Sequence, residues 1–200
     1  MSYRIIIAED EFLLANNLRT LVESLNHQVV GIAETGTQAI TLAAEHRPDL
    51  ILMDIKLPEI DGITAAKTIA QEQHIPIVII SAFSDRSYIE GAAEAGVMTY
   101  LVKPVSFGDL QAVIELTMAR NRELMALRQE VGDLKQALVQ RKTIERAKGI
   151  LMDRGHMAEG EAFRRLQQMS QQENRPLVDI AQSVITAGSL WHENNEGHSS

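Results

Sequence analysis

Four apolar residues ending in a carboxylate, Leu50-Ile51-Leu52-Met53-Asp54, constrain this chain more than any other stretch. An unbroken apolar run of that length suits a strand covered on both faces, as inside a parallel sheet. Asp54 then falls at the strand's carboxyl end, where open α/β sheets place their ligands. Pro58 and Gly62 follow and enforce a loop rather than more strand. Asp54 is therefore the centre on which other strand ends are expected to converge.

Similar short runs recur on either side. Arg4 to Ala8 leads into Glu9-Asp10-Glu11, Val29 to Ile32 forms a second run, Ile77 to Ile80 ends at Ser81, and Thr99 to Val102 ends at Lys103-Pro104. Between them lie helical spacings. Leu14, Leu18, Leu21, Val22 and Leu25 mark one helix, Gln38 to His46 a second, Ile63 to Glu72 a third, and Asp85 to Ala95 a fourth with Gly96 at its C′ position. Trp191 is expected to close a small core near the other end of the chain. Five repeats of strand then helix, with short connections and right-handed crossovers, give an α/β fold with a five-stranded parallel, doubly wound sheet. Ser106 is placed to cap the helix after the last strand, with Asp109 at N3.

From about Val113 the pattern becomes one long helix that runs on to Arg154-Gly155-His156. Leu124, Val131 and Leu138 are spaced by heptads, with Leu127 and Leu134 between them, which is short for a coiled coil. Two readings fit: a dimer seam, which we prefer, and a helix that packs against its own domains. Ala158 to Gln171 reads as a further helix with Ala162, Phe163, Leu166 and Met169 on its apolar face. Pro176 is placed to start a last helix carrying Leu177, Ile180, Ala181, Val184 and Ile185 and ending near Gly188. The boundaries are thus 1–121 for the α/β domain, 122–140 for a helical linker, 141–188 for a three-helix bundle and 189–200 for a disordered polar tail.

Glu9, Asp10 and Asp54 gathered in one crevice would repel one another, and a hard divalent cation resolves the repulsion. Oxygen-only ligation with room for water fits Mg²⁺. Lys103 adds a second positive charge and Ser81 a hydroxyl donor. This set, Glu9-Asp10, Asp54, Pro58 with Gly62, Ser81-Ala82 and Lys103-Pro104, resembles the receiver domain of two-component response regulators, a flavodoxin-like fold. The resemblance implies that Asp54 accepts phosphate from a sensor histidine kinase and that Glu9, Asp10, Asp54 and the Lys56 carbonyl hold Mg²⁺. It also implies a cis Lys103-Pro104 peptide and a switch role for Tyr100, coupled to the Ser81 hydroxyl when phosphate is bound. Lys56 and Phe83 fall where that family tunes dephosphorylation.

The second half of the chain resembles the ANTAR domain, carried most specifically by Ala147-Lys148-Gly149-Ile150-Leu151-Met152 and supported by Ala158 to Met169 and Pro176 to Ala181. ANTAR domains bind nascent RNA at paired hairpins with six-base loops and prevent transcription termination. The resemblance implies leader-transcript hairpins as partners and a homodimer on phosphorylation. The candidate RNA contacts are Arg141, Lys142, Arg146, Lys148, Arg164 and Arg165. Between Arg141 and Arg175 there are 8 basic and 5 acidic residues, a modest footprint that by itself fits a solvated helix face better than a phosphate-binding one.

Charge and composition narrow the rest. Residues 1–120 carry 8 Lys/Arg against 16 Asp/Glu, whereas 121–188 carry 11 against 9, so the front is acidic and the back mildly basic. There is no cysteine, which excludes disulfides, thiolate metal sites and Cys nucleophiles. No apolar run reaches the ~20 residues of a membrane span, and the expected location is cytoplasmic, without membrane association. No phosphate-binding glycine loop, nucleophile elbow or zinc spacing points to catalysis on an external substrate. The competing readings are a helix-turn-helix on duplex DNA and a protein-docking helix. The last helix offers Val178, Asp179 and Gln182 to a major groove, which is poor material for base recognition.

Overall fold

The computed structural model describes residues 2–82 and 99–196, the stretch 189–196 by its backbone alone. The described elements are β1 (Arg4–Ala8), α1 (Phe12–Ser24), β2 (Gln28–Ala33), α2 (Gly36–His46), β3 (Leu50–Asp54), α3 (Gly62–Glu72), β4 (Ile77–Ser81), β5 (Thr99–Val102), α4 (Phe107–Gly155), α5 (Glu159–Glu173) and α6 (Leu177–Glu196). The helix expected over Asp85 to Ala95, with Gly96 and Phe83, lies outside the described residues, as does the Trp191 side chain. The chain divides into two compact units at Met125/Ala126, and each is described by itself.

In the first unit all five strands are parallel, in the order β2-β1-β3-β4-β5. Strand alternation sorts their side chains to two faces. Ile6, Ala8, Ile51, Met53, Ile77 and Ile79 point to one side and pack with Ala39 and Ala43 of α2 and Ala65, Ala66 and Ile69 of α3. Ile5, Ile7, Leu50, Leu52, Val78, Ile80 and Leu101 point to the other, against Leu18 and Val22 of α1 and Leu110, Ile114 and Met118 of α4. All five residues of β3 are buried, which is why Leu50 to Met53 reads as apolar without alternation. Each fully buried Ile or Leu stabilises the fold by roughly 1.5–3 kcal/mol, so the two layers hold the strand ends in fixed register.

Local chemistry sets the helix starts. Thr35 accepts from the Gln38 amide at 3.1 Å and Asp61 from the Thr64 amide at 2.9 Å. At α4 the Ser106 hydroxyl accepts from the Asp109 amide at 3.2 Å and donates to the Asp109 carboxylate at 2.6 Å. Asp109 is too short to reach back to the cap's own amide as the Glu of a full capping box does. Thr117, fully buried, meets Thr99 at 2.9 Å and ties α4 to β5.

The second unit has its own core of Ala147, Leu166, Ile180, Ala181 and Ile185, with Ile144, Ile150, Leu151, Met169, Leu177 and Val184 packed around it. Two sequence expectations change here. Helix α6 continues past Gly188 to Glu196, so 189–196 is helix and not a disordered tail. Gly188 is buried, and a Cβ there would stand 3.2 Å from Ile150, so this glycine serves close helix packing rather than a helix end. Pro176 sits one residue before the helix as its cap, its carbonyl accepting from the Asp179 and Ile180 amides.

Gly62 is the point where the loop and β3 touch. A Cβ there would lie 1.9 Å from the Asp54 carbonyl oxygen. Gly62→Ala gains about 1 kcal/mol of helix propensity but meets backbone that cannot yield, an overpacking cost of about 3 kcal/mol. The net expectation is a loss of about 2 kcal/mol in urea unfolding. An unchanged unfolding midpoint would show that the loop relaxes around the methyl group.

Candidate functional site

The strand ends bring Glu9, Asp54, Ser81 and Lys103 to one edge of the sheet. Glu9 is 2% exposed and its amide donates to Ala33 of β2 at 2.9 Å, so its position is fixed by the ladder. Lys103 follows β5, its amide donating to the Ser81 carbonyl at 2.9 Å, and its bond to Pro104 is cis as the family resemblance implies. Its ammonium donates to Glu9 Oε2 at 2.7 Å and to Asp54 Oδ2 at 2.5 Å. The other Asp54 oxygen, Oδ1, accepts from the Lys56 amide at 3.0 Å. One cation thus bridges two buried carboxylates.

The electrostatics follow. Burial pushes the Glu9 carboxyl up, and the Asp54 charge adds to that, while the Lys103 hydrogen bond and charge pull it partly back. For Lys103 burial works against the ammonium, yet the hydrogen bonds and charges of Asp54 and Glu9 together outweigh it and hold the group above its ordinary value. Nearby, Asp61 opposes its own burial with bonds from the Thr64 amide and hydroxyl and sits below the usual carboxylate range.

Asp10 is exposed at the rim, in a cleft it shares with Ile55, Lys56, Leu57, Pro58 and Asp61. Among the described residues no three acidic or histidine side chains are gathered closely enough to hold a metal ion. The expected convergence of Glu9, Asp10 and Asp54 is therefore not preformed; Lys103 draws Glu9 and Asp54 together and leaves Asp10 outside. The donor chemistry still fits a hard divalent cation. Three carboxylates against one ammonium leave an excess of negative charge, and every side-chain donor but Lys103 is an oxygen.

Tyr100 packs against the α2/α3 side of the sheet, and its buried hydroxyl has no hydrogen-bond partner among the described residues. Ser81 itself is buried and engaged, and the coupling to Tyr100 that the resemblance implies belongs to the phosphate-bound state. Beside the crevice, Phe12 and Leu13 are 74% and 73% exposed, and Phe12 lines a cleft with Glu9 and Asp10. The helical spacing of α1 gives the signal for this pair, since neither belongs to the Leu14, Leu18, Leu21 stripe.

In the second unit Arg141, Lys142, Arg146, Arg164 and Arg165 are exposed as the sequence predicts. Lys148 is not. It is 7% exposed and bonded to Glu145 at 2.9 Å and Glu159 at 2.7 Å. The Glu159 bond, then that of Glu145, raises Lys148, and Lys148 in turn lowers Glu159. Lys148 follows the core residue Ala147, so it lies at the edge of the apolar stripe and its chain is buried along with it. Phe163 corrects the reading in the opposite sense. It is 36% exposed and stands outside the core, with the Lys148 ammonium 6.0 Å from its ring centre. The core takes Ala162, Leu166 and Met169, and Phe163 projects one step round the helix from them.

Comparison with known proteins agrees with both halves. The response regulator receiver domain matches residues 5–115 and the ANTAR domain residues 132–185. The transcriptional regulatory protein PdtaR of Mycobacterium tuberculosis is 42% identical over 182 residues, covering 91% of this chain and 89% of its own. The signal receiver domain of a modulated diguanylate cyclase from Desulfovibrio desulfuricans G20 is 32% identical, with a TM-score of 0.58 over 61% of this chain and 98% of that one. The receiver domain of the sensor histidine kinase PA1611 from Pseudomonas aeruginosa PAO1, 28% identical with a TM-score of 0.54 over 60% and 99%, holds a magnesium ion in its active-site cleft. Among the described residues no helix is long and apolar enough to cross a membrane.

Removing the shared cation leaves Glu9 and Asp54 facing each other. Lys103→Ala is expected to cost about 1–3 kcal/mol at neutral pH. The sign of the pH dependence follows from Glu9, whose folded-state value lies above its unfolded one: the ionised form penalises the folded state, and protonation relieves it. The deficit against the parent protein should shrink as pH falls through the raised Glu9 value, as read by urea unfolding across pH 4–7. A pH-independent deficit would place the loss in packing.

Proposed function

The chain belongs to the response regulators that join a receiver domain to an ANTAR output, and on that premise we propose that phosphate on Asp54 controls how tightly its helical module holds paired hairpins in nascent RNA. Its output is RNA binding in transcription antitermination, and its architecture is that of a regulator. The observation that carries the control step is the Lys103 ammonium between Glu9 and Asp54, which orients the acceptor carboxylate in a buried crevice.

In the proposed transfer an Asp54 oxygen attacks the phosphorus of a phosphohistidine on the sensor kinase. The P–O bond forms, the P–N bond breaks, and the imidazole leaves with its electron pair. The exposed Phe12 and Leu13 beside the crevice supply an apolar surface for that transient contact. Lys103 releases Asp54 and turns to the phosphoryl oxygens, and Ser81 donates its hydroxyl to another. The residues for Mg²⁺ are Glu9, Asp10, Asp54 and the Lys56 carbonyl, and its chemistry there is neutralisation of the phosphoryl charge. The orphaned Tyr100 hydroxyl supports a switch in which Ser81 moves toward the phosphate and the ring follows.

For RNA, the proposed contacts are Arg141, Lys142 and Arg146 on α4, Arg164 and Arg165 on α5, and the exposed ring of Phe163. A hairpin loop exposes unstacked bases, which stack on such rings and hydrogen-bond along their edges. Lys148 is assigned to holding Glu145, Glu159 and Phe163 in place.

Sedimentation with Mg²⁺, with and without beryllofluoride, followed by titration with a two-hairpin RNA, tests the control step. Self-association and tighter RNA binding only with beryllofluoride are expected, and Asp54→Ala should lose the response. Equal binding in both states would remove Asp54 from control. Arg165→Ala should weaken RNA binding about tenfold at unchanged thermal stability, the cost of one or two phosphate or base contacts. Lys148→Ala should lower the melting temperature of the second unit first; the opposite pattern would return Lys148 to the RNA face.

A further inference from the structure

The loop from β3 to α3 is held from two sides. It begins at Asp54, whose Oδ1 accepts from the Lys56 amide at 3.0 Å. Gly62 closes its far end against β3, the Gly62 amide donating to the Ile55 carbonyl at 2.8 Å. The second hold comes from the start of α2. There the Gly36 amide donates to the Pro58 carbonyl at 3.3 Å, and the Thr35 hydroxyl donates to Glu59 Oε2 at 3.3 Å. Gly36 is buried, and a Cβ on it would stand 2.1 Å from the Ile60 carbonyl oxygen. Since Gly36 already opens α2, the glycine supplies room for the Ile60 backbone rather than a turn.

The tip of the loop needs this support. Glu59 has a φ of 66°, a left-handed backbone that a side chain disfavours. Such strain persists where the surroundings over-determine it. Around Glu59 they are the Ile60 amide bond to the Pro58 carbonyl, at 2.8 Å, and the two contacts from α2. The corner that provides those contacts is itself tied down. Thr35 accepts from the Gln38 amide at 3.1 Å, and Gln38 Oε1 accepts from the Glu34 amide at 2.8 Å. Just before it, the Ala33 carbonyl accepts from the Glu9 amide at 2.9 Å. One short stretch, Ala33 to Gly36, therefore touches both Glu9 and the loop that carries Lys56.

We propose that Thr35 and Gly36 are positioning residues of the Asp54 site: through Pro58, Glu59 and Ile60 they keep the Lys56 peptide against the acceptor carboxylate. The amide of Lys56 meets Asp54 and its carbonyl is the proposed Mg²⁺ ligand, so both depend on where the loop is held. This deepens the reading of Asp54 as phosphate acceptor and rests on it. The start of α2 then sets the site as much as the strand ends do, and a change there alters phosphate chemistry while Glu9, Asp54 and Lys103 stay intact.

Full-length variants separate positioning from stability. Thr35→Ser keeps a hydroxyl that caps α2 and reaches Glu59, and should match the parent. Thr35→Asp remains a good cap with a charge that a helix start favours, yet it cannot donate to Glu59 and repels it. Two quantities are read: hydrogen exchange at the Lys56 amide, and the beryllofluoride concentration that half-saturates the protein in Mg²⁺. Thr35→Asp and Gly36→Ala should each raise both about tenfold, the loss expected from one or two hydrogen bonds. Val22→Ala, a cavity in the core under α1, should lower the unfolding midpoint and leave both at parent values. Parent values in Thr35→Asp overturn the proposal, and that variant decides alone if Gly36→Ala does not fold. A shift in beryllofluoride without faster Lys56 exchange is the added charge acting through space, and overturns it too. So does a Val22→Ala protein that shifts as far as Gly36→Ala. A parent that binds no beryllofluoride would sink the acceptor reading instead, and Lys56 exchange would still report on the loop.

Discussion

One ammonium held between two buried carboxylates is the interaction on which the receiver half depends. Glu9, Asp54 and Lys103 lie at the ends of β1, β3 and β5, and β1 and β3 are neighbours in the sheet although β2 separates them in the sequence. Bringing two carboxylates out of water costs several kcal/mol per ion unless a counter-charge is supplied. Lys103 supplies it, and the cis bond to Pro104 and the bond to the Ser81 carbonyl set where the lysine chain starts. The core behind the site therefore serves a charge arrangement: fully buried β3 holds Asp54, and Gly62 lets the following loop close on its carbonyl.

The bundle contains the same motif put to another use. Lys148 also sits between two carboxylates, but Glu145 and Glu159 are 55% and 70% exposed, so little desolvation is at stake there. The pairing joins α4 to the first turn of α5 and sets an ammonium beneath the Phe163 ring. Buried carboxylates around a lysine make a site poised for chemistry; exposed ones make a clasp between helices. The difference lies in solvent access to the acids, not in the residues.

Helix α4 links the two uses. Its first turns are part of the receiver core through Leu110, Ile114 and Met118, and its last turns are part of the bundle core through Ala147. Between them runs an exposed apolar stripe. A helix that is core at both ends and bare in the middle leaves its unsatisfied apolar surface exposed between the two cores.

The sequence by itself determined the strands, the charged residues at their ends and the division into an α/β half and a helical half. These rest on local signals: β3 is apolar throughout because both its faces are covered, and Asp54, Lys103 and Pro104 are legible because each ends or follows a strand. Heptad spacing likewise marked the stripe on α4. Only the tertiary structure decided which charges meet. Whether Asp10 joins Glu9 and Asp54, whether Lys148 faces solvent, and whether Phe163 enters the core depend on packing between elements distant in sequence. Helix α6 ran past Gly188 for the same reason: Ile150 packs against that glycine, and this contact with another helix overrides the local preference to stop.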